Sequence, residues 1–192
     1  MTLASPHYMV WELFQGLRRL CARMIEQPEG ESETRQDSAI AVILAVQCVE
    51  VFLNIYFRVV VNEPEFSHAA ERICHDLEDT RFGLDRKLKE WPNLVFGKNL
   101  DLGVGAGQRL VLLKNTRHKL MHFSSSQETF SRPEIVIHGM ANTSVYASLS
   151  RESAIEALHV AEDFLCEVFA LKGIPAQSLP HALHRWTGRP PV

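Results

Sequence analysis

The most constraining feature of this 192-residue chain is a long apolar segment in its first third. Most residues from 37 to 61 are apolar, which predicts a helix buried almost all round at the centre of a bundle. Asp37 or Ser38 is expected to cap it. The stretch 39–61 is long enough to span a bilayer, but polar and charged side chains interrupt it. The segment is therefore expected to form a core helix, with no membrane partner.

The rest of the sequence predicts an all-α fold of about five helices, with a small β-hairpin before the last helix. Hydrophobic spacing and capping residues place the other helices at about 6–25, 64–91, 108–123 and 151–171, with a candidate break near Gly83. Pro92 is expected to end the helix at 64–91, whereas Ser150 is expected to cap the last helix and Gly173 to end it. The hairpin is expected from the alternating segments 134–138 and 144–149. Residues 1–192 are read as one domain. Its proline-rich tail, 174–192, is expected on the surface, with Trp186 packing it down.

Four polar residues interrupt the apolar helix at helical spacing. Gln47, Glu50, Asn54 and Arg58 fall within roughly 80° of one another at about 100° per residue. This stripe is either the solvent face of the helix or the wall of a site shared with the fourth helix. In the second case, Glu50 needs a cation, and Arg117 of the same chain or of a partner chain is expected to supply it.

Charge limits the partners that a chain of this composition can bind. The formal net charge of −3 and the pI near 6.3 argue against a protein that coats nucleic acid generally. Any such binding requires a local basic patch, and residues 102–127 contain no Asp or Glu. Their basic residues, apart from histidine, are Arg109, Lys114, Arg117 and Lys119.

The cysteines indicate a reducing compartment. Cys21, Cys48, Cys74 and Cys166 are widely spaced and form no C-x-x-C pair, which favours reduced thiols over disulfides or a zinc site. Residues 1–13 lack the basic start of a secretory signal. A cytoplasmic location is therefore expected.

The candidate chemistry lies at 117–122, near the end of the fourth predicted helix. Arginine presents a planar fork of donors that suits phosphate, and histidine exchanges a proton near neutral pH. Arg117, His118 and His122 together provide the groups needed to hold a phosphodiester and move protons around it.

Two motifs resemble the HEPN superfamily of small helical domains. Residues 117–122 match its motif of arginine, a polar residue, three further residues and histidine. Glu50 and Asn54 match the Glu-x-x-x-Asn pattern that many members carry on an earlier central helix. The order of the two motifs also fits, and the resemblance covers about 37–171.

The resemblance implies a HEPN-like helical bundle that acts as a metal-independent endoribonuclease, with Arg117 and His122 catalytic and His118, Glu50 and Asn54 supporting. It also implies a homodimer with one composite cleft. A regular helix places Arg117 and His122 about 140° apart, so a second chain is needed to complete the site. The alternative is a catalytically silent module that binds nucleotide, RNA or a partner protein, including an antitoxin-like one. No cofactor or metal is expected.

Two competing sites remain open. The glycine-rich segment 101–107 resembles the first motif of S-adenosylmethionine methyltransferases, which requires a parallel sheet. His118 and His122 also have the i, i+4 spacing of a metal-binding pair, but no third ligand is nearby in the sequence.

Overall fold

The computed structural model describes residues 5–26, 31–79, 81–121, 127–132, 135–141 and 143–191; of residues 127–132 and 135–141 only the backbone is described. This part of the chain is predominantly helical, which confirms the all-α class. Its α-helices are α1 (Tyr8–Ile25), α2 (Ser32–Val60), α3 (Ala70–Glu78), α4 (Leu84–Phe96), α5 (Gly105–Met121), α6 (Ser144–Ala147), α7 (Arg151–Lys172) and α8 (Leu179–Thr187). Short 3-10 helices cover Pro64–Ala69 and Ala176–Ser178, and strands β1 (Gln127–Arg132) and β2 (Ile135–Ala141) pair antiparallel.

Helix α2 is the central helix, as its apolar sequence predicts. Length and hydropathy alone would allow it to cross a membrane. In the structure it packs against α1, α5 and α7, and side chains such as Phe52, Leu53 and Phe57 are fully buried in one core. Large apolar side chains removed from water in this way are the main stabilising contribution to a helical bundle.

The predicted start of α2 is wrong. The helix begins at Ser32, so neither Asp37 nor Ser38 is its cap. Asp37 accepts hydrogen bonds from Arg23 of α1, 2.7 Å from its Nη2. The Ser38 hydroxyl lies 2.7 Å from the carbonyl oxygen of Ser150. Asp37 and Ser38, which resemble helix caps in the sequence, therefore lie inside α2 and form hydrogen bonds to α1 and to the start of α7.

The predicted third helix is divided into a 3-10 helix, α3 and α4. The chain breaks between α3 and α4, where Gly83 precedes the first residue of α4. Pro92 was expected to end this helix but lies inside α4, although it lacks the N–H that a helix interior uses. The neighbouring Trp91 is fully buried, and its Nε1 donates to Asp76 Oδ2 at 3.1 Å. Packing and this hydrogen bond offset the missing backbone bond.

The C-terminal third differs from the prediction in two places. The strand pair joins 127–132 to 135–141, whereas 144–149, the expected second strand, contains α6. The tail is not only a surface segment, because it contains α8, in which Leu183 and Trp186 are buried. Trp186 packs edge-on against Phe52 and Tyr56, in agreement with its predicted packing role.

Helix α7 has the predicted ends. Ser150 caps it in a reciprocal pair, since the Ser153 N–H donates to Ser150 Oγ and the Ser150 N–H donates to Ser153 Oγ. Gly173 ends the helix with φ 95°, a left-handed conformation that glycine adopts readily. Both signals are local, which is why the sequence predicts them.

Candidate functional site

Helix α5 carries Arg117 and His118, and its first turn explains the glycine-rich segment. Gly105 has φ 61°, and a Cβ on Gly107 would lie 2.1 Å from the carbonyl oxygen of Asp101. Glycine is therefore required where α5 approaches the preceding loop. The strands that the structure describes form one antiparallel pair rather than a parallel sheet. The methyltransferase alternative lacks the fold that it requires in this part of the chain.

An open pocket of about 640 Å³ lies where α2, the start of α4 and the last turns of α5 meet. Arginines and a lysine from three segments of the chain dominate its lining. The charged or titratable residues that line it are Glu50, Arg81, Asp85, Arg86, Lys114, Arg117 and His118. Three predicted site residues, Glu50, Arg117 and His118, therefore share one pocket.

Most charges in the pocket are already compensated. Lys114 forms an ion pair with Asp85. Arg86 pairs with Glu90 at 3.0 Å, and its guanidinium lies 4.2 Å from the centre of the Phe82 ring. Such pairs fix the long cationic side chains and reduce their attraction for a ligand.

Two arginines in the pocket have no counter-charge among the described residues. Among the described residues, neither the Arg117 nor the Arg81 guanidinium forms a hydrogen bond or an ion pair. Each retains a planar set of five donors that suits the oxygens of a phosphate. The pocket therefore combines two available guanidinium groups with His118 at its wall.

The predicted pairing of Glu50 with Arg117 within one chain is wrong. Glu50 Oε1 accepts a hydrogen bond from Lys87 Nζ at 3.3 Å. The Lys87 side chain is only 8% exposed, so its ammonium group needs a partner, and α4 places it against α2. Glu50 consequently lines the pocket as a carboxylate neutralised by Lys87 and is not the counter-ion of Arg117.

The polar stripe on α2 has two environments. Gln47 and Arg58 are exposed at its ends, whereas Glu50 and Asn54 are half-buried in its middle. Asn54 is not among the residues that line the pocket, and its Oδ1 is buried with no hydrogen-bond partner in the described part of the chain. The stripe is thus neither a simple solvent face nor wholly the wall of the predicted site.

His122, the second predicted catalytic residue, lies outside the described residues. The same limit applies to the His118–His122 metal pair. In the ranges with described side chains, no group of three His, Cys, Asp or Glu side chains is arranged to hold a metal ion.

Sequence reasoning missed Arg81 and Lys87. Arg81 lies in the break between α3 and α4, where no periodicity links it to α5. Lys114, by contrast, lies three residues before Arg117, about one helical turn, and this spacing does indicate that the two side chains share one face of α5.

Comparison of the chain with protein-family models, with curated proteins and with solved structures gives no match. The resemblance to HEPN proteins therefore rests on the motifs at 50–54 and 117–122 and on their order along the chain.

Proposed function

We propose that the protein binds RNA in the pocket around Arg117 and cleaves it as a metal-independent endoribonuclease with a HEPN-like bundle. The observation that carries this proposal is the pair of guanidinium groups, Arg81 and Arg117, which share a pocket and have no acidic partner among the described residues. An arginine pair can hold a phosphodiester and stabilise the extra charge of a pentacoordinate phosphorane.

The reaction needs only protein side chains. His122 takes the proton of the RNA 2′-hydroxyl, and the 2′-oxygen forms a bond to phosphorus. The bond from phosphorus to the 5′-oxygen breaks, and a second protonated group gives that oxygen a proton. The products are a 2′,3′-cyclic phosphate and a 5′-hydroxyl. DNA lacks the attacking hydroxyl, so it is not cut.

We propose a homodimer that completes this site, because Arg117 and His122 are about 140° apart on a regular helix. Leu112 and Met121 of α5 are 60% and 49% exposed and supply apolar surface for such contacts. The free thiols of the described cysteines fit the proposed cytoplasmic location.

A second candidate function is a catalytically silent module that binds RNA, a nucleotide or an antitoxin-like protein. The observation that favours it is that Lys87 neutralises Glu50, so the carboxylate does not orient Arg117. Such a module would bind the phosphate of its ligand through the same two arginines.

The experiment that tests the proposal incubates single-stranded RNA with the protein in excess EDTA. Arg117→Ala and His122→Ala should each lower the cleavage rate by roughly a hundredfold or more, and the two losses should not add. His118→Asn should keep much of the activity. Arg19→Ala is the matched control, because Arg19 is an exposed arginine on α1 outside the pocket.

Three outcomes decide between the candidates. Cleavage that persists in His122→Ala would refute the mechanism. Cleavage that stops with EDTA and returns with zinc would support the histidine metal pair instead. If the wild type binds 2′-O-methyl RNA through Arg117 but cleaves no RNA, the silent module is the correct function.

A further inference from the structure

A second, smaller pocket of about 260 Å³ lies on the side of the bundle where α8 covers the ends of α2 and α7. Aromatic and aliphatic side chains form most of its wall, among them Tyr56, Phe169, Ile174 and Trp186. None of its lining residues belongs to the Arg117 pocket. Its volume is below the usual range of about 300–1,000 Å³ for pockets that hold drug-sized ligands.

Tyr56 is the unusual residue of this pocket. It is only 4% exposed, and its hydroxyl is buried without a hydrogen-bond partner among the residues that the structure describes. Burial, and to a smaller extent the charge of Glu63, raise the pKa of this phenol, so it stays a neutral O–H donor at physiological pH. A buried donor without a partner in a pocket wall is explained by a ligand or by a trapped water molecule.

The charges of the pocket favour an anion. Lys172 forms an ion pair with Glu63, whereas Arg185 forms no ion pair with any described residue. Burial, followed by the charge of Arg185, lowers the pKa of His7, so this histidine is neutral at pH 7. The two cations and one carboxylate leave a net charge of about +1 in the pocket, and the uncompensated group is a guanidinium.

Ion pairs and a hydrogen bond fix the wall formed by α8 against α1 and α7. Glu162, which is 2% exposed on α7, forms ion pairs with Arg18 of α1 and with Arg189, which follows α8. Arg18 also donates to Thr187 Oγ1 at 3.0 Å at the end of α8. A pocket with a fixed wall loses little conformational freedom when a ligand binds.

We propose that this pocket binds a small aromatic monocarboxylate. The ring of this ligand packs against Ile174 and Trp186, and its carboxylate pairs with Arg185. The Tyr56 hydroxyl donates a hydrogen bond to the same carboxylate. This site is separate from the RNA site and does not depend on it.

The test titrates phenylacetate into the full-length protein by calorimetry and follows the Trp186 indole N–H by NMR. Phenylacetamide, which has the same shape and no charge, is the ligand control. We expect saturable binding of one phenylacetate per chain and binding of the amide that is about three- to tenfold weaker. No saturation by phenylacetate, or equal affinity for the amide, would overturn the proposal.

Variants separate the ligand from the alternatives. Arg185→Gln should weaken phenylacetate binding about three- to tenfold, and Tyr56→Phe should weaken it severalfold while the fold remains stable. Unchanged affinity in Tyr56→Phe would show that the hydroxyl holds water and would overturn its assigned role. Arg117→Gln is the reciprocal control and should leave phenylacetate binding unchanged, just as Arg185→Gln should leave RNA cleavage unchanged.

Discussion

Replacement of Glu162 by alanine should destabilise the fold more than any loss of an exposed carboxylate on the same helix. The Glu162 side chain is 3% exposed, and its two oxygens accept from different arginines, Arg18 and Arg189. The variant therefore leaves two guanidinium groups without their counter-ion at the junction of α1, α7 and the segment after α8.

The size of the effect follows from the two bonds and from the exposure of the arginines. Each charge-assisted hydrogen bond contributes about 1.5–3 kcal/mol, so the upper bound for the pair is about 3–6 kcal/mol. Arg18 keeps its bond to Thr187, and Arg189 is 40% exposed, so water recovers part of the loss. We expect a decrease in the free energy of unfolding of about 2–4 kcal/mol, or about 4–16 °C in Tm.

The assay is equilibrium unfolding in urea, followed by circular dichroism and by tryptophan fluorescence. Glu156→Ala is the matched control, because Glu156 also lies on α7 and also pairs with an arginine but is 58% exposed. The control should change stability by less than about 0.5 kcal/mol. Equal effects of the two substitutions would refute the argument that burial makes the Glu162 cluster important.

Further predictions concern the start of α5 and the buried thiols. Gly107→Ala should lower the free energy of unfolding by about 1–3 kcal/mol, because the new Cβ would lie 2.1 Å from the Asp101 carbonyl oxygen. Gly16→Ala on α1 is the contrasting variant, since its Cβ would have no neighbour within 4 Å, and it should stabilise the fold by about 0.5–1 kcal/mol. In the native protein a thiol reagent should modify the exposed Cys74 and spare the buried Cys48, as mass spectrometry of labelled peptides would show. Burial raises the pKa of Cys48 from 9.0 to about 12, so its contribution to stability is complete below pH 9 and is lost as the pH rises from 9 to 12. Urea titrations between pH 9 and 12 should show a smaller decrease in the free energy of unfolding for Cys48→Val than for the wild type. An equal decrease in the two proteins would show that the Cys48 thiol is not the cause.

The parts of the fold that depend on local chemistry were predictable from the sequence. The Ser150 cap and the Gly173 stop act within a few residues, and the apolar run of α2 is continuous in the sequence; the structure has all three. Helix α8 was not predicted, because the prolines of the tail indicate an irregular segment. Pro180 in fact lies in the first turn of that helix, where proline is tolerated.

The parts that depend on how helices cross were not predictable. Glu50 was expected to meet Arg117, the nearest cation in the motif, but the crossing of α4 over α2 brings Lys87 instead. Arg81 enters the pocket from the break between α3 and α4, and no periodic pattern connects it with α5. Sequence spacing thus selected some residues of the candidate site, whereas their partners are set by tertiary packing.

In the proposed mechanism, Arg81 and Arg117 together hold the phosphodiester that is cut. Its most direct test is mass spectrometry of the RNA ends produced in EDTA by the wild type, Arg81→Ala, Arg117→Ala and the Arg19→Ala control. We expect 2′,3′-cyclic phosphate and 5′-hydroxyl ends from the wild type and the control, with at least about tenfold less product from each pocket variant. Full activity in Arg117→Ala, or products with 3′-hydroxyl and 5′-phosphate ends, would contradict it.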